Sequence, residues 1–110
     1  MKEKRQHQRA VLRVSVAIRG QADDARSEGQ TWAAESEDIS LGGMFILGDT
    51  LPPIGTEVQV EFVLPGLGPV RMPAYVRWKR EVGVGLQFGL IGPRETHAIG
   101  RLVRGSVPGI

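Results

Sequence analysis

The chain has no cysteine. That removes disulfides, thiolate catalysis and cysteine-ligated zinc, and it fits a reducing compartment, so a cytoplasmic location is expected. Histidine is almost as scarce. His7 and His97 are the only two, far apart in the chain, and neither forms a pair at metal-ligand spacing. Aromatic residues number six (two Trp, one Tyr, three Phe), too few for the exposed stacking platforms of a single-strand binder. A net charge of +2 is too small for strong nonspecific DNA binding, so neither DNA nor RNA is expected as a partner. No apolar run approaches the ~20 residues of a membrane helix. The first residues are charged and lack a signal core, and glycine does not follow Met1, so neither membrane insertion nor lipidation is expected.

Catalysis is equally hard to place. Ser40 lacks a G-x-S-x-G setting. Gly83-x-Gly85 runs into Leu86-Gln87-Phe88 without the lysine of a phosphate loop. No catalytic residue, metal ligand or cofactor is expected.

What the chain does have is turns. Fifteen glycines and seven prolines in 110 residues favour an all-β domain over a helical bundle. Leu12, Val14, Val16 and Ile18 alternate with polar residues and predict a half-buried strand. Residues 20–30 read as a polar surface loop, and 31–39 as a weaker strand broken by Gly42-Gly43. A short apolar strand covers 44–47. Val58, Val60, Phe62 and Leu64 give the clearest alternation. Val70, Met72, Ala74, Val76 and Trp78 alternate again, and Pro73 within that run suggests an edge position or a bulge. In 82–88 glycines occupy one face, which suggests curvature or close approach in a small barrel. Pro93, Glu95 and the spacing of Ala98, Ile99, Leu102 and Val103 predict a C-terminal amphipathic helix stopped by Gly105.

Two motifs carry chemistry. The N-terminal segment 1–9 has no hydrophobic period and is basic, so it reads as a flexible arm preceding a barrel and helix over 10–110. Within it Arg5 and Arg9 lie four residues apart. If extended they stand about 13 Å apart on one side, suited to two ends of one nucleotide. Guanidinium fits phosphate and the O6/N7 edge of guanine. The same residues describe a solvated terminus equally well. The second motif is Asp38-Ile39-Ser40-Leu41-Gly42-Gly43. Its carboxylate can accept from guanine N1–H and the exocyclic amine. Ser40 and free backbone N–H groups can hold phosphate, and Gly43 lets a ligand approach the backbone. Alternatively it is a polar strand end entering a tight turn.

Together the motifs resemble the PilZ domain family, bacterial receptors for cyclic di-GMP. The family carries R-x-x-x-R in an N-terminal arm and [D/N]-x-S-x-x-G on an early strand, matched here by Arg5, Arg9 and by Asp38, Ser40, Gly43. Leu51-Pro52-Pro53-Ile54-Gly55, Val76-Arg77-Trp78 and the 82–88 stretch also look like the family. The resemblance implies a six-stranded antiparallel β-barrel with a C-terminal helix. It implies that Arg5 and Arg9 clamp phosphates and guanine faces, that Asp38 and Ser40 hold guanine and its phosphate, and that the arm orders over the ligand. Lys4 is an auxiliary residue, a cation that would favour a stacked pair of ligands over one. Trp78 is a second auxiliary candidate, for stacking beside the ligand, although its place on the Ala74/Val76 face sets it in the barrel core.

The implied function is a cyclic di-GMP receptor signalling to a separate, unidentified effector protein, with motility among the outputs the family suggests. The competing reading is a nucleotide-independent protein-interaction module on the same barrel.

Overall fold

The computed structural model of the chain describes residues 8–21 and 29–105. Seven strands precede one helix: β1 (Arg9–Val11), β2 (Ser15–Gly20), β3 (Thr31–Ser40), β4 (Gly43–Leu47), β5 (Glu57–Leu64), β6 (Gly68–Lys79), β7 (Gly83–Phe88) and α1 (Pro93–Gly105). Each strand pairs antiparallel with its neighbours in the order β1-β3-β2-β5-β6-β7-β4. A further β3–β4 pairing closes the sheet on itself. The result is the expected six-stranded barrel with a C-terminal helix, plus β1 as an outside strand. Closure removes the open edges that an antiparallel sheet would otherwise expose.

Alternation explains the interior. Every second side chain of a strand faces one side. Thus Val58, Val60, Phe62 and Leu64 of β5, Val16 and Ile18 of β2, and Val70, Met72, Ala74 and Val76 of β6 are all buried. Pro93 opens α1 with its φ already set, and the Thr96 N–H and hydroxyl both donate to the Gly92 carbonyl at 3.0 and 2.9 Å. Ala98, Ile99 and Val103 join the core, and the helix packs against β1 and β3. No described helix is long and apolar enough to cross a membrane.

Two departures from simple alternation matter. The strand expected from Leu12 begins only at Ser15. Val11 pairs with Asp38 and Ser15 with Glu35, so residues 12–14 face only Ser36 and Glu37. Buried Ser36 fills the break: its hydroxyl donates to the Leu12 carbonyl and accepts from the Val14 N–H at 3.0 Å. The second departure concerns Pro73. It lies in unbroken register with Gln59, in a strand flanked on both sides. Its carbonyl accepts the Gly89 N–H at 2.8 Å, and its missing donor falls where the β6–β7 ladder ends, so no rung is lost. The bulge in β6 sits instead at Arg77.

Candidate functional site

Three transverse rows of residues cross the β1–β3–β4–β7–β6 side of the barrel. The middle row, Ala10–Ile39–Met44–Leu86–Val76, points into the core. The rows on either side must therefore point outward. One contains Val11, Asp38, Phe45, Gly85 and Trp78. The other contains Arg9 opposite Ser40, then Gly43, Gln87 and Tyr75.

Two bulges place the site residues in the first of these rows. In β3, Ser36 pairs with Ile46 and Asp38 with Phe45, leaving Glu37 as the extra residue. In β6, Val76 pairs with Leu86 and Trp78 with Gly85, leaving Arg77 extra. Were the same residues paired in regular register, Asp38 would share the inward side of Ser36, and Trp78 that of Val76. An extra residue reverses the parity of the strand beyond it. Trp78 is accordingly not in the core, where alternation sets it. It is 42% exposed, because the bulge at Arg77 turns it out.

The spacing of Asp38 and Ser40 now has a geometric meaning. Residues two apart share one face of a strand. Arg9, directly opposite Ser40, reaches Asp38 diagonally, a span that a long side chain covers. Its Nε and Nη2 both donate to Asp38 Oδ1, at 2.9 and 2.7 Å, and its Nη1 donates to Ser40 Oγ at 3.3 Å. Both partners of the ion pair are partly buried, where a charge-assisted contact is screened less than at the surface. None of the described residues reaches Asp38 Oδ2, which leaves that oxygen open to a donor. Ser40 Oγ also accepts the Gly42 N–H at 3.1 Å and donates to the Gly43 carbonyl at 3.4 Å, fixing the turn into β4. Gly43 is buried, and a Cβ there would run into the Leu86 carbonyl oxygen. Its immediate requirement is the close approach of β4 to β7.

The opposite wall is aromatic. Phe45 and Trp78 stack across Gly85, ring centroids 5.3 Å apart and planes at 17°. Gly85 is the floor of the stack, since a Cβ there would enter the Trp78 indole, and one on Gly83 would press on the Phe45 ring. The Arg80 guanidinium lies over both rings, 4.9 Å from the Phe45 centroid and 5.2 Å from that of Trp78, a cation–π arrangement. Between the Arg9–Asp38 pair and this stack opens a cavity of about 660 Å³, also lined by Arg77. Three guanidiniums and two carboxylates, Glu37 and Asp38, therefore border one concavity with a flat aromatic face.

Arg9, Asp38, Ser40 and Gly43 all line this concavity. Arg9 does so from within β1. Arg5 and Lys4 lie outside the described residues. Phe45 and Arg80 were missed. The alternating glycines of β7 signalled close approach, and the partner of that approach is the ring pair.

The PilZ domain model matches residues 3–105. The chain belongs to the PilZ domain family. This is a family of cyclic di-GMP receptor and adaptor modules. Solved PilZ structures share the barrel. The PilZ domain of YcgR from Escherichia coli, solved with c-di-GMP, has a TM-score of 0.68 at 19% identity, over 94% of this chain and 92% of that one. The PilZ domain of CeSA from a cellulose-synthesizing bacterium gives 0.65 at 19% identity, over 88% and 95%. The inhibitor of motility MotI/DgrA from Bacillus subtilis gives 0.74 at 20% identity, over 99% of this chain and 54% of that one. No curated protein matches this PilZ chain in sequence.

Proposed function

We propose that this PilZ domain is a cyclic di-GMP receptor whose ligand lies between the Arg9–Asp38 pair and the Phe45–Trp78 stack. The observation that carries this reading is the Arg9 guanidinium bound at once to Asp38 and Ser40 on the wall of an outward cavity that faces a stacked aromatic pair. Asp38 accepts from guanine N1–H and the exocyclic amine, with Oδ2 as the free acceptor. Arg9 turns part of its donor fork to a phosphate, and Ser40 holds that phosphate from below. Trp78 offers its exposed face to a base. Arg5 supplies the second clamp from the arm, which orders on the ligand, and Lys4 favours a stacked ligand pair. The changed surface is then read by an effector protein. The cytosol, with motility among its outputs, is the setting in which such a receptor would work.

Calorimetric titration with cyclic di-GMP, against GTP and cyclic di-AMP, tests the reading. Selective binding with a negative heat-capacity change is expected. Charge-assisted hydrogen bonds net about 1.5–3 kcal/mol, so Arg5→Ala or Arg9→Ala should weaken binding about tenfold to a few hundredfold. Asp38→Ala should lose guanine selectivity in a chain that still folds. Undiminished affinity in either arginine variant overturns the clamp. A stoichiometry near one ligand per chain removes the role given to Lys4.

A further inference from the structure

A second concavity, of about 500 Å³, lies between α1 and the β5–β6 hairpin. Leu67 on the hairpin and Ala98 and Leu102 on the helix form its apolar floor. Arg94, His97 and Arg101 form its rim. All three rim residues are exposed, and Leu67 and Leu102 are half-buried.

The pattern on the helix is specific. Arg94, Ala98 and Leu102 follow one another at intervals of four, so they form a single line on the surface. His97 and Arg101, also four apart, run beside it. Arg94 and Arg101 stand about 10 Å apart along the axis. No carboxylate lines this groove, and among the described residues no ion pair involves Arg94, His97 or Arg101. The one acid near the start of the helix, Glu95, points its carboxylate toward Gly92. The groove therefore presents apolar contact area inside a rim of one charge sign.

We infer that this groove docks an acidic, amphipathic segment of a partner protein, with an apolar side chain on the Leu67/Ala98/Leu102 floor and carboxylates on Arg94 and Arg101. The apolar floor selects a protein segment over a nucleic acid, whose backbone would gain nothing from it. The rim selects acidic over basic segments through both encounter rate and the penalty on like charge. The inference does not depend on the nucleotide site, since none of these six residues borders it. It gives the α1 face a role in a PilZ domain that carries a signal to another protein, and it would hold equally for a nucleotide-independent module.

Chemical-shift mapping on the isotopically labelled full chain tests it. The probe is a capped helical peptide of alternating Glu-Glu and Leu-Leu pairs. The comparisons are the same peptide with lysine for glutamate, a short DNA duplex, and the chain alone over a range of concentrations. The acidic peptide should shift the amides of Gly66, Leu67, Ala98 and Leu102 saturably. Arg94→Glu with Arg101→Glu should weaken it by about tenfold or more, equivalent to about 1.4 kcal/mol. A control with the same charge change elsewhere, Arg13→Glu with Lys79→Glu, should bind as the parent does. Both pairs are exposed, so unchanged melting temperatures establish that folding is intact. Equal shifts with the lysine peptide overturn the inference, as does an unaffected double variant. A groove that answers only to DNA, or only to the concentration of the chain itself, overturns it in favour of a nucleic acid or a second copy.

Discussion

Two glycines in the site face the same kind of obstruction with different remedies. A Cβ at Gly43 meets the Leu86 carbonyl, a backbone group held in the β4–β7 ladder, whereas one at Gly85 meets the indole of half-exposed Trp78. Backbone in a closed barrel cannot step aside, and a surface ring can. Gly43→Ala should therefore cost about 3 kcal/mol or more, read as a lowered urea midpoint. Gly85→Ala should cost roughly 1 kcal/mol or less. It should instead push Trp78 away from Phe45, raising acrylamide quenching of Trp78 fluorescence in a Trp32→Phe background. Equal destabilisation by the two alanines would contradict the distinction. At this scale the sequence was informative about identities. Arg9, Asp38, Ser40 and Gly43 converge on one wall, and close strand packing is a requirement at Gly43 that the motif did not disclose. Glycine marks a crowded place without saying whether a ligand or a neighbouring strand does the crowding.

Strands β5 and β7 follow their alternation closely, and α1 follows its proline and its period of 3.6. The elements that build the site do not. Alternation counts residues, and a bulge adds one that the count cannot see. Glu37 and Arg77 each look like ordinary outward charges in sequence, yet each reverses the direction of the side chains after it. Hence Trp78 reads as core when Val76 anchors the count, and the polar run of β3 gives no parity for Asp38 at all. The break between β1 and β2 is hidden for a similar reason, since Leu12 and Val14 keep their apolar rhythm while Ser36 bonds the backbone between them. Deleting Arg77 should remove the bulge and make Trp78 the next residue after inward Val76, so that simple alternation keeps the indole outward, opposite Gly85. The expected result is an exposed Trp78 emission in the Trp32→Phe background and a loss of no more than about 1–2 kcal/mol. Arg77→Ala keeps the extra residue and should leave both stability and emission nearly unchanged. A deletion variant with a blue-shifted, buried Trp78 emission would mean that Arg77 is not the extra residue of the strand.

For the whole molecule, closure is what unites the site. Arg9, Asp38, Ser40 and Phe45 come from the first half of the chain, and Arg77, Trp78 and Arg80 from the second; they meet where β4 pairs with β7, a seam between the two halves of the closed barrel. A ligand held across that seam binds the folded state alone. Cyclic di-GMP at one hundred times its Kd should therefore stabilise the protein by about 2.7 kcal/mol and raise the melting temperature by roughly 10 °C. No shift under saturating ligand would mean that the folded chain does not bind cyclic di-GMP in preference to the unfolded one. The same feature bears on birth. During synthesis the Arg9–Asp38 wall leaves the ribosome well before β6 and β7, and at about 5–20 residues per second the gap lasts seconds. In that interval the nascent chain carries the residues proposed to read guanine but no opposite wall, so under that proposal it stays deaf to the messenger until its last strands have emerged.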